Sequence, residues 1–281
     1  MAALLDIRRR IRSVKSTQQI TRAMKMVAAA RLRKAQDRIF NARPYANQMM
    51  ALLSSVAART TDRCHPLLQE RPIKRQLLVL VTSDRGLCGG FNANLIRAAQ
   101  SYVDEHRDRE ISIIAVGRKG RDYYRRRGAK ILAEHINLPA RPSYQEATGI
   151  AREVIRRYRD GETDAVFVLN NEFKSVMSQK LSVLQLLPLA GETKEIKDYI
   201  YEQSPVDMLD RLVPRYVEAA VFRALLETIA SYQAARMTAM DKASSNARDV
   251  IDTLTLNMNR IRQAAITKEI IEVVSGAAAA E

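Results

Sequence analysis

The sequence predicts an α/β body carried on two long helical arms, one at each end of the chain. Three observations lead there. Between Arg215 and Ser275 there is no glycine and no proline, no glycine precedes Gly86, and no proline precedes Pro44. Through both runs apolar residues return every three or four positions, the period of a helix with one buried stripe. Between the runs lies a stretch that alternates short apolar segments with amphipathic ones and holds most of the glycines.

The first arm extends from about Leu4 to the high fifties. Ile7, Ile11, Val14, Thr21, Ala28, Leu32, Ala35 and Ile39 follow steps close to a heptad seam. Gln18 and Lys25 fall on the same stripe; polar seam positions cost stability but fix register and partner. Pro44 is expected to kink or briefly break the helix. Residues 61–75, with Pro66 and Pro72, form a linker, so the domains read as 1–60, 61–75, 76–203 and 204–281.

The body reads as Rossmann-like. Gln76 to Thr82 (QLLVLVT) has the length and composition of a strand, followed by a helix from Asn92 to His106. Ile111 to Val116 is a second strand, Lys119 to Arg127 a short basic helix and Lys130 to His135 a third strand. Ser143 to Arg159 is helical, with Ser143 as N-cap and Glu146 three residues on. Asp164 to Leu169 is a fourth strand, and Phe173–Gln179 with Leu181–Leu187 reads as a closing pair. Alternating strands and helices imply a mostly parallel sheet. Pro205 and Pro214 open the second arm, whose stripe includes Val217, Leu225, Tyr232, Met240, Ala247, Leu254 and Ile261. One continuous helix over that run would be roughly 90 Å long, the length of a coiled coil rather than of a globular helix.

Composition narrows the function. Of 281 residues, 47% are hydrophobic and only 5% aromatic, with no tryptophan, which suits helices packed through Leu, Ile, Met and Ala. No apolar stretch reaches the roughly 18 residues of a membrane span. Arginines from Arg8 onward leave no signal-peptide apolar region. Cys64 and Cys88 lack metal or disulfide spacing and read as reduced thiols of a cytosolic protein; His65, His106 and His135 are scattered. The net charge of +15 is uneven: residues 1–75 carry +13, residues 76–203 +3 and residues 204–281 −1. A basic first arm expects an anionic partner.

Four segments carry candidate chemistry. Ser83 to Asn92 (SDRGLCGGFN) follows the first strand and opens a helix, where an α/β fold holds phosphate. Its spacing matches neither G-x-G-x-x-G nor a Walker loop, so a tight structural turn outweighs nucleotide binding. The Lys and Arg residues between Arg8 and Arg38 form a face able to track phosphates. Tyr123 and Tyr124 sit among Arg118, Arg121, Arg125, Arg126 and Arg127; half-burial on the sheet outweighs RNA stacking there. Ile266 to Gly276 is too apolar for a frayed tail and predicts an enclosing partner.

Ile11 to Gln36 (IRSVKSTQQITRAMKMVAAARLRKAQ), the loop TSDRGLCGGFN and the ending ITKEIIEVVSGAAA together resemble the gamma subunit of F-type ATP synthases, in the same order and at similar separations. The resemblance covers nearly the whole chain. It implies an antiparallel coiled coil of the terminal helices, turning as a rotor inside a ring of alpha and beta subunits. The α/β body would grip the epsilon subunit and the membrane c-ring. It implies no catalytic residue, cofactor or metal of the chain's own, no nucleic acid, and membrane association through the complex only, at the cytoplasmic face of a bacterial inner membrane. By resemblance Arg262, Gln263, Thr267 and Glu269 match an upper contact with the catalytic ring, and Met24 and Lys25 a lower one. Tyr199, Tyr201 and Glu202 match the neighbourhood that faces the c-ring and epsilon. The dithiol-bearing insertion of the chloroplast form is lacking. The residues alone leave two other readings: a nucleic-acid-binding coiled-coil protein that uses the +13 arm, and a nucleotide-binding α/β enzyme with helical arms.

Overall fold

Leu77, Val79 and Val81 of the first strand point into one apolar cluster, and Leu78 and Leu80 into another. A strand buried on both faces reads as a near-continuous apolar run, and residues 77–81 (LLVLV) are that pattern. In the computed structural model this strand, β1 (Arg75–Val81), is the middle of a five-stranded sheet. The structure describes residues 2–58, 65–137, 142–189 and 204–278.

The remaining elements are α1 (Ala2–Ala58), α2 (Phe91–Glu105), β2 (Glu110–Val116), α3 (Arg118–Arg126), β3 (Ile131–His135), α4 (Tyr144–Arg159), β4 (Ala165–Phe173), β5 (Gln179–Leu187) and α5 (Pro205–Ala278). The strand order is β3-β2-β1-β4-β5; β1 to β4 run parallel and β5 pairs antiparallel to β4. One face of the sheet is covered by α2 and α3 through Phe91, Leu95, Ala99 and Tyr124. The other is covered by α4 through Ile150, Val154 and Tyr158, and by Leu53 of α1 with Val213 and Val217 of α5. The order reverses between β1 and β4, as in doubly wound folds. Ser143 and Glu146 start α4 as expected: they form a capping box in which the Ser143 backbone N–H donates to the Glu146 carboxylate.

Two expectations are corrected. Pro44 does not break the first arm, because α1 continues through it to Ala58. Pro44 is exposed, so the carbonyl left without its helical donor is open to water and the loss is tolerated. The closing pair is not Phe173–Gln179 with Leu181–Leu187. β4 runs on past Leu169 to Phe173 and pairs with β5 in the register Phe173↔Gln179, so residues 174–178 are the turn. There the Ser178 N–H donates to the Ser175 hydroxyl at 3.0 Å. The segment Asn170–Asn171–Glu172 reads as loop by composition, but Asn170 and Asn171 are buried, and the Ser231 hydroxyl donates to the Asn171 carbonyl at 3.3 Å. A tertiary partner overrides local preference here.

The chain forms two compact units, Ala29–Arg236 and Met1–Ala28 with Met237–Glu281. Inside the first, one buried carboxylate joins three elements. Glu227 of α5, 2% exposed, accepts from Arg43 Nε of α1 at 3.0 Å and from the Phe173 N–H of β4 at 2.8 Å. Arg43 Nη2 also donates to the Phe173 carbonyl at 2.8 Å. Arg43→Ala leaves a carboxylate buried beside a single N–H and a distant Arg223 at 3.8 Å. We expect a loss of about 3 kcal/mol in denaturant unfolding. Adding Glu227→Gln to it should recover part of that loss, since the stranded charge is then gone.

Asp164 anchors the opposite end of β1. Its carboxylate accepts from the backbone N–H groups of Lys74 at 3.1 Å and Arg75 at 2.8 Å, and from the Arg75 guanidinium at 3.2 Å. Burial pushes its pKa up, but these hydrogen bonds, led by the Arg75 N–H, outweigh burial and hold it below the usual value. A folded value below the unfolded one, about 3.9, gives stability that is present above that pH and lost as pH falls through the folded value. Asp164→Ala should cost about 2–3 kcal/mol at neutral pH by stranding two N–H donors. It should also flatten the fall in stability below about pH 4, as read by unfolding at several pH values.

Candidate functional site

In the unit formed by the chain ends, the heptad seam is visible in the burial. Leu4, Ile7, Ile11, Val14, Gln18, Thr21, Lys25 and Ala28 of α1 are buried or half-buried in steps of three and four. Met240, Ser244, Ala247, Ile251, Leu254, Met258, Ile261 and Ala265 of α5 repeat the pattern. Such spacing turns one narrow stripe toward a partner helix. The two polar seam residues reach across it. Lys25 Nζ lies 2.6 Å from the Asp241 carboxylate, and Gln18 Nε2 donates to the Ser244 carbonyl at 3.4 Å. As α1 descends from 25 to 18, α5 rises from 241 to 244, so the pair is antiparallel. In the other unit Arg43 with Glu227 and Asn47 with Arg223 show the same sense.

Outside the seam, Arg8, Arg9, Arg10, Arg12, Lys15 and Arg22 are all exposed. Among the described residues only Arg10 of this set meets an acid, Asp6 at 3.8 Å with both side chains mostly in solvent. That pair contributes little, so the positive face remains open. Beyond Ala265 the seam stops: every described side chain from Ile266 to Ser275 is exposed. Ile270, Ile271, Val273 and Val274 are among them, an apolar surface larger than scattered single residues.

The sequence-predicted contact residues fall into three groups. Arg262, Gln263, Thr267 and Glu269 are exposed on the last turns of α5, with the Thr267 hydroxyl donating to the Gln263 carbonyl at 3.0 Å. Among the described residues neither Arg262 nor Glu269 has an ion-pair partner. Met24 and Lys25 are half-buried on α1. Tyr199, Tyr201 and Glu202 lie outside the described residues. Asp241 was missed by the sequence reading, although an acid on the facing stripe is the signal that pairs with a seam lysine.

The loop after β1 is built as a structural turn. Asn92 Oδ1 accepts from the Ser83 N–H at 3.1 Å, and the Asp84 carboxylate accepts from the Arg118 N–H at 2.9 Å, so it caps α3 instead of holding a ligand. Gly117 sits at φ 93° against Thr82; a Cβ there would lie 2.3 Å from the Thr82 carbonyl oxygen. Cys88 is buried, Asn92 Nδ2 donates to its sulfur at 3.2 Å, and burial pushes the thiol's pKa up against that bond. It is therefore a protonated, packed thiol. Cys64 lies outside the described residues. Tyr124 is buried in the core, and Tyr123 carries Arg127 stacked 3.7 Å from its ring centre, so this pair is packed and not a free stacking platform. Among the described residues no His, Cys, Asp and Glu cluster fits a metal. None of their helices is long and apolar enough to cross a membrane.

The fold defines an α/β protein whose two terminal helices pair antiparallel and leave an apolar helical end uncovered, a subunit made to be surrounded by others. Comparison with known proteins is specific. The family model described as ATP synthase matches residues 3–280. The ATP synthase gamma chain of Solibacter usitatus is 54% identical over 286 residues, and that of Desulfitobacterium hafniense 51% over 283, each alignment spanning the whole of both chains. The central stalk of the Tetrahymena thermophila mitochondrial ATP synthase is 27% identical with a TM-score of 0.63, covering 80% of this chain and 99% of that one. A chain of the Euglena gracilis mitochondrial ATP synthase shares the fold, with a TM-score of 0.69 at 20% identity over 99% of this chain and 94% of that one. The chain belongs to the ATP synthase gamma-chain family. That membership leaves the nucleic-acid reading of the basic arm without support.

Proposed function

We propose that this gamma subunit is the central rotor shaft of an F-type ATP synthase, non-catalytic itself, coupling ion flow through a membrane c-ring to the catalytic sites. The whole-length match to gamma chains carries the reading. Its partners are then the alpha and beta subunits of the catalytic ring, the epsilon subunit and the c-ring. It sits at the cytoplasmic face of the bacterial membrane through that complex alone. Each shaft angle favours one conformer of each catalytic subunit and so shifts its nucleotide affinity by the difference in contact energy.

The exposed end of α5 supports an upper contact level. Arg262 and Glu269 lie seven residues apart, on one face of the helix, with charges free for a partner. Gln263 and Thr267 form the adjoining stripe. Lys25 at the lower level already spends its charge on Asp241, so Met24 and the neighbouring exposed Met26 offer the free surface there. Arg262→Ala and Glu269→Ala should each lower coupled ATP turnover in the assembled complex by about tenfold, the effect of losing one charged contact, with assembly intact. Unchanged hydrolysis and synthesis in both variants would refute the upper level.

Tyr199, Tyr201 and Glu202 are proposed as the foot that meets the polar loops of the c-ring and epsilon. The sequence supports this: a carboxylate directly after two alternate tyrosines suits basic loops. Cysteines at Tyr201 and in the c-subunit loop should form a disulfide that stops ATP-driven rotation. A disulfide to a beta subunit in its place would put this segment at the other end of the shaft.

A further inference from the structure

Within the unit of residues 29–236, a cavity of about 390 Å³ lies outside the carboxyl ends of β1, β2 and β3, between the sheet and the long helices. Its floor is formed by Thr82 and Gly117, and α5 supplies one wall through Thr228, Gln233 and Arg236. Open parallel sheets take their ligands outside the carboxyl ends of the strands. The volume falls in the range of small-molecule sites. A single buried water fills only about 30 Å³.

Two independent features say what the cavity is made for. The first is polar atoms left without a partner. The Thr228 hydroxyl, Gln233 Oε1 and Arg236 Nε are all buried and unpaired, and the Thr228 and Gln233 residues are each 3% exposed. Stranded donors and acceptors of this kind cost about 1–3 kcal/mol apiece unless something meets them. The loop after β1 is internally satisfied, whereas this wall is not. The second feature is charge. Arg31, Arg85 and Arg236 line the cavity, and among the described residues none of them forms an ion pair. Arg236 Nη1 donates to the Tyr232 hydroxyl at 3.3 Å, a neutral partner. The one acid on the wall, Asp84, already accepts from the Arg118 N–H.

We propose that this cavity binds a small phosphorylated metabolite that also carries hydroxyl donors, a sugar phosphate or a nucleotide. The phosphate meets Arg31, Arg85 and Arg236, where guanidinium forks suit its oxygens. A ligand hydroxyl donates to Gln233 Oε1, an acceptor that a bare anion cannot satisfy because it offers acceptors only, while the Thr228 hydroxyl pairs with either. Bound there, the ligand touches α1, α5 and the loops of the sheet at once. The site is separate from the contact levels of the rotor reading and does not rest on it.

Calorimetric titration of the full-length chain with ribose 5-phosphate, ADP and pyrophosphate tests this. Ribose 5-phosphate should bind one to one, and ADP binding more tightly would assign the site to nucleotides, equal affinity to sugar phosphates. Arg31→Gln and Arg236→Gln should each weaken binding about tenfold, and Thr228→Val about fivefold. Arg31 is exposed, so its variant keeps the fold even if Arg236→Gln lowers the melting temperature. Arg107→Gln, an exposed change in the α2–β2 loop, should leave binding unaltered. No binding by ribose 5-phosphate or ADP up to about 10 mM, below the affinity of a specific site, would overturn the proposal. Binding insensitive to Arg31→Gln would do the same. Pyrophosphate binding as tightly as ribose 5-phosphate would overturn the role given to Gln233.

Discussion

A helix with a strip of apolar side chains down one side cannot bury that strip against itself, and a helix as long as α1 is held in place by whatever covers it. The three-and-four spacing that starts at Leu4 and recurs to Val56 is therefore the constraint on which the rest depends. Any slip of register would turn apolar positions to water along the whole helix. Two polar seam residues make the register specific: Lys25 has its acid at Asp241 and Gln18 its carbonyl at Ser244. Exposed ion pairs add little stability. What the Lys25 pair adds is discrimination, because a shifted register would leave a lysine on the seam without a partner.

The same constraint explains how α5 changes along its length. From Val213 to Ala234 it is buried on almost all sides, lying between the sheet and α1, and its sequence there is largely apolar, interrupted by partnered residues such as Glu227 and by the polar wall of Thr228 and Gln233. From Met240 to Ala265 only a seam is covered. After that none of the described residues covers it. One helix thus passes from a core element to half of a pair to a bare apolar end, and the amino-acid pattern changes with each environment.

Much of this was legible. The unbroken apolar run of β1, the capping box at Ser143 and the heptads at both ends are local patterns, and local patterns survive into the structure because nothing distant opposes them. What sequence reading missed depends on distant partners. Pro44 has the chemistry of a helix breaker, and only its exposure shows why α1 runs on. The end of β4 looks like a polar loop until Glu227 and Arg43, far along the chain, take up the N–H and carbonyl of Phe173. Of the candidate site, the seam residues could be chosen by spacing. The polar wall of Thr228, Gln233 and Arg236 could not, since in sequence it is a stretch of ordinary helix. Its meaning lies in atoms that find no partner after folding.

The two uncovered surfaces differ in physical kind, and on the rotor reading that difference has a use. The basic face of α1 acts at a distance: its charges attract an acidic wall across several ångströms of water, with a strength that salt weakens. The end of α5 acts only on contact, because apolar burial falls to nothing once water enters the gap. A part that must turn inside a sleeve needs attraction that does not lock, which diffuse charge provides. It also needs a bearing that excludes water without interdigitating. Short branched side chains such as Val273 and Val274 present fewer knobs than Leu or Phe would at the same positions. The placement of charge on one helix and short apolar side chains on the other therefore separates holding the shaft from letting it move.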